Sequence, residues 1–162
     1  MGRMGKVSRS LGAVVVAASM FFSGAALAGK KPEVPASLDG VTIVGSDEVM
    51  AAFESESAFL LDCRKTADFG AGSIPGSVNC QVSSGKADLA ADQVSATADR
   101  LKVECGDLMG LDKSKPVITF CNGLTCWRSP KAALAVKALG FTNVQWYRNG
   151  MNDWKKQDLP ME

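Results

Sequence analysis

Chemistry in this chain has to start from sulfur. The sequence carries five cysteines, Cys63, Cys80, Cys105, Cys121 and Cys126, and no histidine. That removes histidine general bases, histidine metal ligands and every Cys/His or Ser/His catalytic pair, leaving Cys, Asp, Glu, Lys, Arg, Tyr and backbone amides. An odd number of cysteines leaves at least one thiol unpaired or otherwise engaged. Cys121 and Cys126 stand five positions apart around Gly123, with Trp127 and Arg128 directly after. Three arrangements suit that spacing. Cys121 is the nucleophile and Cys126 resolves it or protects it by reversible oxidation. Alternatively Cys126, nearer a helix start, is the nucleophile, or it simply packs beneath that start. Two close cysteines without further ligands at matching spacing do not make a metal site, so neither a metal nor another cofactor is expected.

The elements around these residues place Cys121 at a candidate site and leave the role of Cys126 open. Residues 116–120 form an apolar run that reads as a buried strand ending at Cys121, and residues 129–139, rich in Ala and Leu, read as a helix closed by Gly140. A strand, a short glycine-bearing loop and a helix N-terminus place Cys121 at the carboxyl edge of a sheet, where open α/β folds bind ligands. The joining residues Asn122, Gly123, Leu124, Thr125, Cys126, Trp127 and Arg128 then form an anion cradle. Amides turned inward and the helix dipole stabilise negative charge, so a thiol at its rim should be mostly thiolate at neutral pH. Arg128 adds a fixed positive charge if it turns inward.

Further strands are expected at residues 41–44, 58–61 and 144–147, with helices after Ser46, loosely over 87–111, and over 150–156. Residues 65–77, rich in glycine, read as loop with a single helical turn. The alternation of strands and helices predicts an α/β fold with a mainly parallel sheet and helices on both faces. Trp146 and Trp154 are expected in the core, Cys63 as a small buried residue, and Asp62 and Arg64 as an ion pair supporting the loops around the site. Cys80 and Cys105 suit either a disulfide or simple burial.

Four segments together resemble single-domain rhodaneses, which are sulfurtransferases, from about residue 40 to the end. They are Leu60-Leu61-Asp62-Cys63-Arg64, the stretch from Ala71 to Asn79 around Ile74-Pro75-Gly76, Phe120-Cys121 with its loop and Arg128-Ser129, and Asn149-Gly150 with Trp154 and Leu159-Pro160. Their order and spacing agree with the family. The resemblance implies a rhodanese-like fold and a ping-pong reaction. Cys121 would attack the outer sulfur of a donor such as thiosulfate, hold it as a persulfide, and pass it to a thiophilic acceptor. Partners would be a small sulfur-containing substrate or a thiol acceptor protein. Two departures stand out. Ser73 occupies a position usually held by histidine, and Cys121 and Arg128 are seven positions apart, two more than in typical members. The insertion brings in Cys126 beside Trp127, a Cys-x4-Cys-Trp pattern that resembles a subset of exported rhodanese-like proteins. A redox or sulfur-carrier module using the Cys121/Cys126 pair is therefore a second reading. A phosphatase or arsenate reductase is a third, disfavoured by the Cys-to-Arg spacing and by the lack of an evident acid for the leaving group.

Before this domain, Arg3, Lys6 and Arg9 precede an apolar run at residues 11–22, and Ala26-Leu27-Ala28 follows. That pattern predicts a Sec-type signal peptide over residues 1–28, a polar linker over 29–39 and the rhodanese-like domain over 40–162. The product would be periplasmic or secreted, with no membrane attachment after cleavage. Loss of three basic residues and no acidic ones turns a net charge of +1 into −2, which excludes a basic footprint for nucleic acid. All five cysteines lie after residue 28, so they would meet an oxidising compartment.

Overall fold

The computed structural model describes residues 1–2 and 31–162. The proposed signal peptide therefore lies almost wholly outside the described residues. Five strands form one parallel sheet: β1 Thr42–Ile43, β2 Phe59–Asp62, β3 Val78–Asn79, β4 Val117–Phe120 and β5 Val144–Tyr147, in the order β1-β5-β4-β2-β3. Among the described residues six helices accompany them: α1 Ser46–Glu54, α2 Thr66–Gly70, α3 Ala91–Glu104, α4 Gly106–Met109, α5 Arg128–Ala138 and, after the last strand, α6 Gly150–Lys156.

The sheet is buried on both faces, which is why its central strands read as continuous apolar runs. Side-chain alternation divides the core in two. Leu60, Ile118, Phe120 and Tyr147 face one layer with Val49 and Ala52 of α1 and Met151 and Trp154 of α6. Leu61, Val117, Cys121 and Trp146 face the other with Ala98 and Leu101 of α3 and Ala132, Ala133 and Val136 of α5. The small residues of α5 let its backbone approach the sheet. Both Trp146 and Trp154 are fully buried, as expected.

The chain moves outward from β2 to β3, then returns to place β4 on the opposite side of β2. That reversal opens a crevice at the carboxyl ends of β2 and β4. Asp62, Cys63 and Arg64 at one strand end thus face Phe120 and Cys121 at the other, and Cys63 N donates to Phe120 O at 2.9 Å.

Several elements differ from the sequence reading. The first helix is capped at Gly45, one residue early, because Glu48 Oε2 accepts from Gly45 N at 2.9 Å. The loosely helical region splits into α3 and α4 at Cys105, whose non-helical backbone (φ −121°, ψ 66°) interrupts the helix. The stretch read as a linker is packed: Val34 and Leu38 are buried in the core.

Cys80 and Cys105 form a disulfide with Cα atoms 5.7 Å apart, fastening the chain after β3 to the end of α3 across 25 residues. Closing a loop of that length is worth about 3 kcal/mol in the chain-entropy account. A Cys80→Ala/Cys105→Ala protein is expected to lose about that much stability in denaturant titration.

Candidate active site

Cys121 leaves β4 with its side chain directed into the α3/α5 layer, and the next residues fold back over it. Cys126 N donates to Gly123 O at 2.8 Å, closing a tight turn. That turn brings Cys126 to Cys121, and the two form a disulfide with Cα atoms 6.4 Å apart. Cys121 Sγ also lies 3.2 Å from Cys126 O and 3.2 Å from Ser129 Oγ. Ser129 Oγ accepts from Trp146 Nε1 at 2.9 Å.

The two sulfurs differ in surroundings. Cys121 is 1 % exposed and Cys126 9 %. A cavity of about 270 Å³ is lined by Asn122, Thr125, Cys126, Trp127 and Arg128 on one side and Ser84, Gly85 and Ala87 on the other, together with Lys31. Cys126 lines it and Cys121 sits behind. Arg128 turns inward: its Nε donates to Val82 O at 2.9 Å, and its Nη1 lies 3.9 Å from Cys126 Sγ. Among the described residues, the amides of Asn122, Leu124, Thr125 and Trp127 donate to no protein acceptor. The loop therefore retains donors, and the Arg128 guanidinium beside Cys126 suits a small anion in the cavity. Leu124 and Gly123 contribute through their backbones. Gly123 has φ +148, and a Cβ there would press on Asn149 O and the Asn152 amide.

Contacts beyond the reach of local pattern hold the loop from two sides and fix the facing wall of the cavity. At the start of α6, Met151 N donates to Cys121 O and Asn152 N to Asn122 O, both at 2.9 Å. Gly150, at φ +57, makes this approach possible, since a Cβ would fall on the Cys121 carbonyl. The packed N-terminal segment forms the second side. Val34 N donates to Leu124 O at 2.7 Å, Trp127 Nε1 donates to Pro32 O at 3.0 Å, and Arg148 secures the segment by donating to Val34 O and Pro35 O. Trp127 thus both packs and lines the cavity.

The facing wall is fixed by Lys131, whose buried Nζ donates to Ser84 O at 2.8 Å, Lys86 O at 2.7 Å and Gln93 Oε1. Burial pushes its ammonium below the ordinary lysine value, while Asp88 and Asp92 pull it back. Sequence reading missed this lysine because its acceptors lie 38 to 47 residues away. Lys131→Met should leave the Ser84 and Lys86 carbonyls without a donor, while Gln93 Oε1 keeps Lys86 N, and cost about 2 kcal/mol. Faster amide exchange at residues 84–87 than in the rest of the domain is the expected signature.

Asp62 and Arg64 form the anticipated buried pair, with Arg64 Nη2 2.6 Å from Asp62 Oδ2. Ser73 Oγ donates to the same oxygen at 2.8 Å, so the residue in the position usually held by histidine belongs to this network. Cys63 is free and fully buried. Burial, then the Asp62 charge, pushes its thiol well above the ordinary value, against weaker lowering by the Phe120 backbone and Arg128. An unreactive, protonated thiol results.

With this geometry in place, comparison with known proteins gives a family. The family model described as "Rhodanese-like domain" matches residues 46–157. The chain belongs to the rhodanese-like family. Among solved structures, it is similar to the BH2092 protein of Bacillus halodurans, with 19% identity, a TM-score of 0.56 and coverage of 75% of this chain and 76% of that one. It is also similar to the human single-domain sulfurtransferase TSTD1, at 20% identity and TM-score 0.52, covering 72% and 97% of the two chains. A third is the polysulfide-sulfur transferase homodimer of Wolinella succinogenes, at 18% identity and TM-score 0.55, covering 76% and 79%. At such identities these likenesses describe the rhodanese-like fold. No curated protein matches the chain.

Proposed function

We propose that this rhodanese-like protein is an exported sulfurtransferase that carries sulfane sulfur as a persulfide on Cys121. The observation that carries the reading is the pair of sulfurs at the carboxyl edge of β4, beside a small cavity lined by Cys126 and Arg128. In the reduced pair, the Cys121 thiolate attacks the outer sulfur of thiosulfate. A new S–S bond forms to Cys121, the thiosulfate S–S bond breaks, and sulfite leaves with the electron pair. An acceptor thiolate then takes the outer sulfur and regenerates the Cys121 thiolate. Donor and acceptor are a small sulfur anion and a thiol compound or thiol protein. The signal-like residues 1–28 support action in a periplasmic or extracellular setting.

A second reading is favoured by the Cys121–Cys126 disulfide. A Cys126 thiolate can attack Cys121 Sγ of the persulfide, form the disulfide and expel hydrosulfide with the bonding pair. The protein then acts as a sulfur carrier or disulfide-exchange module that an external thiol must reset.

Mass spectrometry of the reduced protein after thiosulfate treatment tests both. A gain of one sulfur atom in wild type and Cys126→Ser, and none in Cys121→Ser, is the expected result. Gain in Cys121→Ser but not Cys126→Ser would transfer the persulfide to Cys126. Insulin reduction without any thiosulfate:cyanide turnover would replace the sulfurtransferase reading by the redox one.

A further inference from the structure

The Cys121–Cys126 disulfide has an inner and an outer sulfur, and different groups attend each end. From this asymmetry we infer that the bond opens in one direction: an incoming thiolate attacks Cys126 Sγ and Cys121 leaves, with Ser129 and Trp146 as positioning residues for the departing sulfur. The inference rests on the proposal that this pair is the working centre.

Displacement at a disulfide requires the nucleophile to approach the attacked sulfur opposite the bond being broken, and the faster route expels the better-stabilised thiolate. Cys126 lines the cavity, and Arg128 Nη1, 3.9 Å from its sulfur, favours the approach of an anion. Cys121 is 1 % exposed and does not reach the cavity, so direct attack on it would require the loop to move first.

The departing end is equipped for negative charge. Ser129 Oγ, 3.2 Å from Cys121 Sγ, receives the Trp146 indole N–H at 2.9 Å. That bond occupies an acceptor site on the hydroxyl and leaves its own proton free to point at sulfur. Trp146 is fully buried on β5 and cannot swing away. The Cys126 carbonyl, also 3.2 Å from Cys121 Sγ, suits the protonated thiol that follows. The hydroxyl is therefore the group that stabilises charge during departure.

The step balances. A bond forms between the thiolate sulfur and Cys126 Sγ, and the Cys126–Cys121 bond breaks. Its electron pair stays on Cys121, which is reduced as the incoming thiolate sulfur is oxidised. Freed of its tether, the Cys126 side chain can rotate and uncover Cys121 to the cavity. Cys126 thereby acts as a gate whose opening reagent is a thiolate.

The test uses oxidised full-length protein, a brief pulse of glutathione, an iodoacetamide quench and tandem fragmentation of the loop peptide. Glutathione on Cys126 with carbamidomethyl on Cys121 is expected, in roughly tenfold excess or more over the reverse pattern. Equal amounts, or adducts mainly on Cys121, would overturn the assignment. In folded Ser129→Ala the opening rate should fall about threefold to tenfold. In a Cys126→Ser background, Ser129→Ala should also move the midpoint of Cys121 alkylation to higher pH, and Ser129→Thr should restore it. An unchanged rate and midpoint would remove the positioning role. The adduct map needs no sulfur donor, so missing thiosulfate turnover counts against the sulfurtransferase proposal alone, and Cys121 adducts count against this one alone.

Discussion

Oxidised protein should show almost no thiosulfate:cyanide activity, and a thiol reductant should raise the rate by roughly a hundredfold. A disulfide sulfur has no free electron pair of thiolate character, so turnover in the oxidised sample reports only the fraction present as dithiol. For a two-electron couple, each tenfold change in that fraction corresponds to about 30 mV, and a surrounding poise about 60 mV more oxidising than the pair leaves about one per cent reduced. Cys126→Ser cannot form the bond that joins it to Cys121, and should be equally active with and without reductant. Cys121→Ser should be inactive under both conditions. Steady-state assays of the three proteins, each before and after reduction, check this. An oxidised wild type as fast as the reduced one would mean that the disulfide does not gate the reaction.

The gating would suit the proposed location. In an oxidising compartment a lone, half-exposed thiolate is open to progressive oxidation, whereas a pair that closes on itself is held at a reversible stage. The rigid supports around the loop fit this exchange. Backbone bonds from α6 and from residue 34 hold the loop carbonyls of Cys121, Asn122 and Leu124. Opening the disulfide then releases chiefly one side chain.

The sheet and the place of the thiols were legible because their signals are local. The apolar runs at β2, β4 and β5 are long enough to distinguish, and Gly140, at φ +92, follows the end of α5 as a helix-terminating glycine. Strand β3 was missed because two residues at a sheet edge, Val78 and Asn79, carry no periodicity. The segment read as a linker looked polar and proline-bearing, yet its bonds to Leu124, Trp127 and Arg148 depend on partners roughly a hundred residues away. Shorter separations, 47 residues for Lys131 on the cavity wall and 17 and 8 for the Trp146–Ser129–Cys121 chain, hid those contacts too, and local pattern left the pairing of Cys80 with Cys105 open. Composition can nominate each group, but only the fold brings them together. The departure at Ser73 is explained once the structure is present: a short hydroxyl bridges Asp62 and Ser77, both at 2.8 Å, and no imidazole is needed.

Replacing Asp62 by Asn should cost about 3–5 kcal/mol while leaving the chemistry of the folded fraction nearly unchanged. Both carboxylate oxygens are fully engaged: Oδ1 accepts from Arg64 N at 2.8 Å and Nε at 3.1 Å, and Oδ2 from Arg64 Nη2 at 2.6 Å and Ser73 Oγ at 2.8 Å. The amide preserves the shape and loses the charge. Arg64, 2 % exposed, then remains as a buried cation whose other oxygen partner is Gly72 O. Attraction between two buried charges roughly offsets their desolvation, so removing one partner exposes the desolvation cost of the other. For a domain of this size that loss corresponds to a fall in Tm of roughly 10–20 °C. The double replacement Asp62→Leu/Arg64→Met should recover much of it, because neither buried charge is left behind. A scaffold role predicts that kcat of Asp62→Asn, measured well below its Tm, stays within about threefold of wild type, since the carboxylate contacts neither Cys121 nor Cys126. A hundredfold loss of kcat with the stability retained would instead make Asp62 part of the sulfur chemistry, acting across the strand ends that Cys63 N and Phe120 O join.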